Sequence, residues 1–481
     1  MYAVLFRMFR HSLRCALIAT LSILFAFPVS AQNDLKVEDL QKINELEAKL
    51  KNNPDNHNFE NLNQLRHLYS SRDERRSFYY CDEIFKISTM DGYTLAVLAD
   101  WKFDEDPRGA AFALEMKSGK YPEFNFVRAA CIIKQGEIFS RLGEKSLARS
   151  KFEAAMNLSA DGLQTYKAVA GAMMKNIDLK TSCAPWKIPV LEIRYFPLTA
   201  DKKMLDIAVT TNVEMPLPDI RKKCDDLTKD IMRSLEEGSR FRAYKNPDAK
   251  PSLKYEIVGT IEYLEPFPFD SKKKFPDYKK ILERANAKDY VENKGVKEIW
   301  IWGYHSPVSG LWESNLASPY GDISNSDRDP NDLPIFSTTY TVYHYNYERS
   351  TSEAIENHMH QIEGLIWYFS NDLWERFAGK SGKLRCGNCH YPPNGKIDYD
   401  WTNKTYVETD IEDWRPEEQG EMKKINCDRW DADSLKWFIY WMQSLPGENN
   451  NLKYKGKTLT NWWVIVGDYD AAVNDRDAMA K

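Results

Sequence analysis

The sequence predicts two joined architectures: an N-terminal helical repeat region, then an α/β domain with a mixed or partly parallel sheet. Three observations carry this. Residues 35–178 keep helical hydrophobic spacing throughout. From residue 185 to 475, β-rich runs alternate with amphipathic helices. Between them, "TSCAPWK" (181–187) forms a Cys- and Pro-containing joint.

The chain begins with a stretch that reads as a secretory signal over residues 1–31. Arg7, Arg10 and Arg14 make a positive start, "CALIATLSILFAF" is a short apolar core, and Val29-Ser30-Ala31 suits cleavage before Gln32. The expectation is a periplasmic or secreted protein, with no membrane span once the signal is removed. The helical part opens with "VEDLQKINELEAKLKNN" and stops at Pro54. Its strongest segment is "RAACIIKQGEIFSRLGEKSLARSKFEAAMNLS" (128–159), two helices around a Leu142-Gly143 turn with small residues Ala130, Gly136, Ala148 and Ala155. This resembles a tetratricopeptide repeat, whose period is about 34 residues. Weaker copies lie one and two periods back, at 92–116 and 61–88, and "GLQTYKAVAGAMMKN" suits a solvating cap helix. The resemblance implies a groove for a protein or peptide partner.

The second part runs strand, helix, strand. "IPVLEIRYFPL" (188–198), "LKYEIVGTIEYLEP" (253–266), "VKEIWIWGYH" (296–305) and "STTYTVYHYNYE" (337–348) read as strands. "PDIRKKCDDLTKDIMRSLEEGSR" and "PDYKKILERANAKDYVENKG" read as the intervening helices, with Pro at the start and Gly towards the end. Ligands of such sheets sit beyond the carboxyl ends of the strands. That rule makes His305, Asn346 and Glu348 candidate binding residues.

Composition narrows the partners. The chain has 481 residues and a formal net charge of -5, with no basic block beyond runs such as Lys272-Lys273-Lys274, so nucleic acid is not expected. Of eight cysteines, one (Cys15) leaves with the signal. Seven in an exported chain this long do not make a disulfide-built scaffold.

Helix 352–369, "SEAIENHMHQIEGLIWYF", carries two stripes. Ile355, Met359, Ile362, Ile366 and Phe369 form the apolar one. Glu356, His360, Glu363 and Trp367 form a second, about 100° around the helix. His360 and Glu363 converge on one point, where an imidazole and a carboxylate bind a metal or share a proton. Downstream, "RCGNCHYPPNG" (385–395) introduces a long loop containing His390, Asn394, Asp400 and Trp401. Trp437 and Trp441 lie one turn apart, suited to core packing or to stacking on sugar rings.

Four segments together ("VKEIWIWGYHSPVSGLWESNLA", "YHYNYERSTSEAIENHMHQIE", "CGNCHYPPNGKIDYDW" and "NCDRWDADSLKWFIYWMQSLPG") resemble an uncharacterised family of exported bacterial proteins. The resemblance spans roughly residues 188 to 470. It implies candidate positions at His360, Glu363, Cys386, His390, Asn394, Asp400, Trp401 and Cys427, and names no reaction. Cys389 stands where the family pattern varies.

Cys386, Cys389 and His390 also spell the C-x-x-C-H of covalent haem attachment. The prolines that follow and the α/β setting argue against haem and against a thioredoxin-like dithiol. Two readings remain open. One is a zinc site made of Cys386, Cys389, His390 and Cys427. The preferred one is a Cys386–Cys427 disulfide, closing roughly 40 residues and stabilising by about 4 kcal/mol. It leaves His390 to join His360 and Glu363 in a catalytic or metal site. The expected chemistry is metal-assisted (a divalent ion such as zinc) or acid/base hydrolysis of an extracellular polysaccharide or peptide. The competing expectation is a non-catalytic envelope binding or assembly protein.

Overall fold

A computed structural model describes residues 37–52, 58–100, 103, 105–270, 275–304, 314–325, 333–380 and 383–481. Residues 1–31, where a signal is expected, and His305 lie outside these residues. The chain divides into two compact units after Cys81.

In the first unit, α1 (Val37–Asn52) and α2 (Phe59–Ser70) pack together. They bury Ile43, Leu46, Leu62 and Leu65. The Asn58 side chain caps α2 by accepting from the Asn61 N–H at 3.0 Å. Glu47 accepts hydrogen bonds from the hydroxyls of Tyr69 (2.7 Å) and Tyr80 (3.0 Å). Tyr80 belongs to α3 (Glu74–Ile87), which crosses the boundary.

The second unit opens with four further helices packed as successive pairs: α4 (Gly92–Leu98), α5 (Pro107–Lys120), α6 (Asn125–Arg141) and α7 (Lys145–Met156), followed by α8 (Gln164–Asn176). Asp106 caps α5 with Pro107 in its first turn. Gly136 lets α6 and α7 approach closely, because a Cβ there would stand 2.5 Å from the Phe152 ring. Gly143 turns the chain between them at φ +76°.

The joint near residue 180 does not separate two units, as the sequence suggested. Residues 82–178 belong with the α/β part. Ser140 donates to Asn474 Oδ1 at 3.1 Å, Asn176 to the Ser337 carbonyl at 3.3 Å, and the Ser182 hydroxyl to Asp468 at 2.8 Å. The shift in composition marks a change of secondary structure, whereas the core runs on across it.

The sheet contains β1 (Trp186–Tyr195), β2 (Leu253–Tyr263), β3 (Glu298–Gly303), β4 (Ser314–Ala317), β5 (Ile323–Ser324) and β6 (Tyr340–Asn346). Their order is β2-β1-β3-β6-β4-β5. The β1–β2, β1–β3 and β3–β6 pairs are parallel, and β4 runs antiparallel to both β6 and β5. Ile193 pairs with Ile301, and Ile301 with His344. Every residue of β3 and β6 is buried, as in a sheet covered on both faces.

Helix α9 (Leu217–Gly238) connects β1 to β2, and α10 (Tyr278–Arg284) and α11 (Ala287–Lys294) precede β3. After β6 come α12 (Thr351–Phe369), α13 (Asn371–Ala378) and α14 (Ser434–Met442). Helices α9, α12 and α14 pack against one another. Trp437, Phe438 and Trp441 are fully buried there, which is core packing and not a sugar platform. Among the described residues, no helix is long and apolar enough to cross a membrane.

Candidate metal centre

Helix α12 begins with a capping box, in which Ser350 and Glu353 satisfy each other's backbone N–H groups. Its apolar stripe is buried: Ile355, Met359, Ile362 and Ile366. The Glu356, His360 and Glu363 stripe faces the loop that carries His390, while Trp367, one further turn on, is 37% exposed.

The loop owes its shape to its own sequence. Gly387 takes φ +75°, and a Cβ there would meet the Tyr391 carbonyl at 2.2 Å, so only glycine fits. The Asn388 side chain accepts from the N–H groups of His390 (3.1 Å) and Tyr391 (3.0 Å), closing a turn. Three indoles then fix the backbone. Trp401 and Trp437 both donate to the Cys389 carbonyl (3.1 and 3.0 Å), and Trp441 donates to that of Gly387 (3.0 Å). Asn394 clasps the far end, donating to the carbonyls of Asn403 and Thr405, both at 2.8 Å.

Helix and loop bring four potential ligands together. One donor atom each from Glu356, His360, Cys389 and His390 lies within 4.8 Å of all the others. His360 Nε2 is 3.0 Å from His390 Nε2. Glu356 Oε1 is 3.1 Å from His390 Nε2 and 3.8 Å from His360 Nε2. Donors at about 2.0–2.3 Å from one tetrahedral ion stand roughly 3.3–3.8 Å apart. The observed spacings run from slightly below that range to its upper end.

The outer contacts orient both rings. His390 Nδ1 lies 2.9 Å from Asp398 Oδ1, and His360 Nδ1 lies 3.4 Å from Glu363 Oε2. A carboxylate accepts, so each Nδ1 carries hydrogen; a cation at the centre would take each ring with its Nε2 lone pair turned inwards, whereas without one an Nε2 hydrogen is shared with Glu356. Two imidazole Nε2 atoms and a carboxylate oxygen face one another. Such a group is stable only around a cation or a shared proton.

The titration shifts express the same crowding. Burial would raise the Glu356 carboxyl, but hydrogen bonds from His360 and His390 hold it at about 2. Burial opposes charge on His360, yet Cys389, Glu356 and Glu363 raise it well above an ordinary histidine. Burial pushes the Cys389 thiol up. Cys389 is fully buried, while the side chains of Glu356 and His390 remain 15% and 12% exposed and form the accessible edge. Beside that edge stands Tyr399, 41% exposed, with its ring 4.2 Å from the His390 imidazole.

His360 and His390 therefore meet as the sequence suggested. Glu363 does not point a free oxygen at the meeting place: Oε1 accepts from the Cys389 N–H at 2.6 Å and Oε2 faces His360 Nδ1. Glu356, already visible one turn before His360, takes the inner position, and Asp398 supports His390. Asn394 and Asp400 shape the loop, the latter accepting from Lys396 N–H and Asn403 (2.8 and 2.7 Å). Trp401 buttresses Cys389. Asn346 and Glu348 bond each other at the end of β6 (2.9 and 3.3 Å).

The expected Cys386–Cys427 disulfide is not formed. Both thiols are free and buried, and their charged surroundings differ: Asp410, Arg385 and Arg242 around Cys386, but Asp428, Lys404 and Asp400 around Cys427. Hydrogen bonds tie the loop instead, including Cys427 N–H to the Asn403 carbonyl at 3.1 Å. A Cys386/Cys389/His390/Cys427 zinc set fails on the same ground, because neither Cys386 nor Cys427 joins the cluster. The haem-attachment reading of C-x-x-C-H fits no better. Both thiols are fully buried, and His390 turns Nε2 to Glu356 and His360.

No family model, no curated protein and no solved structure matches this chain. The fold and the site define a mixed helical and α/β protein with a two-histidine, carboxylate and thiol cluster between a helix and a loop.

Proposed function

We propose that the α/β part is a metal-dependent hydrolase, with a divalent ion of zinc type held by Glu356, His360 and His390. The observation that supports it is the convergence of two imidazole Nε2 atoms and a carboxylate oxygen, with a second carboxylate behind each ring at Nδ1. Two histidines and one carboxylate are a common hydrolytic donor set. A bound zinc supplies Lewis acidity and a water acidified to near neutrality. The protein's part is positioning. Glu356 and His390 form the accessible edge, and the exposed Tyr399 beside it is suited to lie against an incoming chain. The substrate in this reading is an extracellular polymer, polysaccharide or peptide. The protein is exported, as in the family it resembles, and the tetratricopeptide-like helices recruit a protein or peptide partner.

Cys389 favours a second reading. As a fourth ligand it would close the coordination sphere, making the centre structural. Metal analysis of purified wild type, His360→Ala, His390→Ala and Cys389→Ser, paired with assays on polysaccharide and peptide panels, separates the two. The hydrolase reading expects one metal per wild-type chain, none in either histidine variant, and metal and activity retained in Cys389→Ser. Loss of metal from Cys389→Ser supports the structural centre instead. A metal-free wild type that stays metal-free when zinc is added defeats both.

A further inference from the structure

Two carboxylates hold the rings from behind, and they do so differently. Asp398 offers one oxygen to one partner, His390 Nδ1, at 2.9 Å. Glu363 uses both oxygens on two partners from two elements: the Cys389 N–H of the loop at 2.6 Å and His360 Nδ1 of its own helix at 3.4 Å. Glu363 is 8% exposed, so water cannot replace either contact easily. We propose that Glu363 is the positioning residue of this centre. It sets the His360 tautomer and locks the Cys389–His390 segment onto α12 at the same time, while Asp398 sets the tautomer of His390 alone. This rests on the metal-centre reading above.

The asymmetry follows from hydrogen-bond inventory. An amide has one accepting oxygen and one donating nitrogen. Glutamine at 363 must therefore turn its NH2 towards either the Cys389 N–H or His360 Nδ1–H. The first choice pushes the loop away. The second drives the hydrogen of His360 to Nε2, where it blocks the inner lone pair. Asparagine at 398 has a single partner and can turn its oxygen to it, losing only charge.

The test is zinc affinity by chelator competition on the full mature chain, with the cobalt(II)-substituted visible spectrum as a second readout. Outer partners of ligating histidines change metal affinity by about 10–100-fold. Glu363→Gln is expected at the upper end, with a changed cobalt spectrum, and Asp398→Asn at the lower end. Glu363→Asp, which restores two accepting oxygens, is expected to recover part of the loss. A merely structural role would lower the stability of the metal-free protein and leave the cobalt spectrum of the bound form unmoved. Equal zinc affinity in wild type, Glu363→Gln and Asp398→Asn, with His360→Ala unable to bind, overturns the proposal and spares the metal centre. So does a larger loss in Asp398→Asn than in Glu363→Gln. Wild type that takes up no zinc overturns both. Should Glu363→Gln fail to fold, Glu363→Asp is read in its place: weaker zinc affinity with a changed cobalt spectrum supports the proposal, and wild-type affinity and spectrum overturn it.

Discussion

Helix α12 carries two buried histidines two residues apart, and its two sides treat them oppositely. His358 faces the sheet. Its ring stacks on Tyr343 at a centroid distance of 3.8 Å, and its Nε2 lies 2.6 Å from the Tyr345 hydroxyl. Burial with no charged partner lowers it to about 3, so it stays neutral. His360 points to the loop, among Glu356, Glu363 and Cys389, and is raised. Both are at most 8% exposed. Burial alone therefore decides nothing about an imidazole. Aromatic rings and one hydroxyl make a core residue of it, whereas convergent carboxylates and a second imidazole make a ligand.

Breaking the two sides in turn gives the largest effects. His358→Ala removes a packed ring and orphans the Tyr345 hydroxyl, and is expected to cost about 3–4 kcal/mol in urea unfolding while zinc content holds. His360→Ala is expected to do the reverse, with metal lost and the metal-free protein little changed. A variant pair that moved both quantities together would erase the distinction.

The sheet side can also be sharpened through Glu298, which is fully buried on β3 and accepts from Trp300 Nε1 at 2.8 Å and from the Tyr255 hydroxyl at 3.2 Å. Burial raises its carboxyl to about 7. The folded state thus binds a proton that the unfolded chain has already released, and stability falls as pH rises from the ordinary carboxyl value to that raised one. The loss is about 3 kcal/mol. Glu298→Gln keeps both hydrogen bonds, accepting from Trp300 and donating to Tyr255, and cannot ionise. Unfolding free energies of wild type and variant at about pH 5 and about pH 8 are expected to diverge by that amount, with wild type the weaker at high pH. His344 and His358 titrate in both proteins and cancel in the difference.

Periodicity made the elements legible. The alternation of strands and helices after residue 185, and the apolar stripe of α12, follow from local patterning that burial then respects. The i, i+4, i+7 stripe likewise placed Glu356, His360 and Glu363 on one face. Their separate duties were not legible, because they depend on where a loop 26 residues beyond Glu363 places the Cys389 N–H. The disulfide expectation failed for a related reason. Cysteine count and spacing do not reveal that indole N–H groups and asparagine side chains hold the same loop. The boundary near 180 failed because hydrogen bonds such as Ser140–Asn474 link residues 334 positions apart.

The smallest predicted effect tests whether the loop side stands on that clasp. Asn394→Ala removes two hydrogen bonds and leaves the Asn403 and Thr405 carbonyls short of a donor. Asn403 still donates to the Asn394 carbonyl at 3.0 Å, so the loop keeps one tie. The expected loss is about 1–2 kcal/mol of stability. Because the cost falls on the loop that carries His390, zinc affinity should weaken several-fold. The His358 side should stay as it was, with the pH difference between wild type and Glu298→Gln unchanged in the Asn394→Ala background. Additivity of the two substitutions is the measurement that matters. Distant, independent sites add within about 0.5 kcal/mol, and a larger coupling would mean that the two sides of α12 share one supporting network.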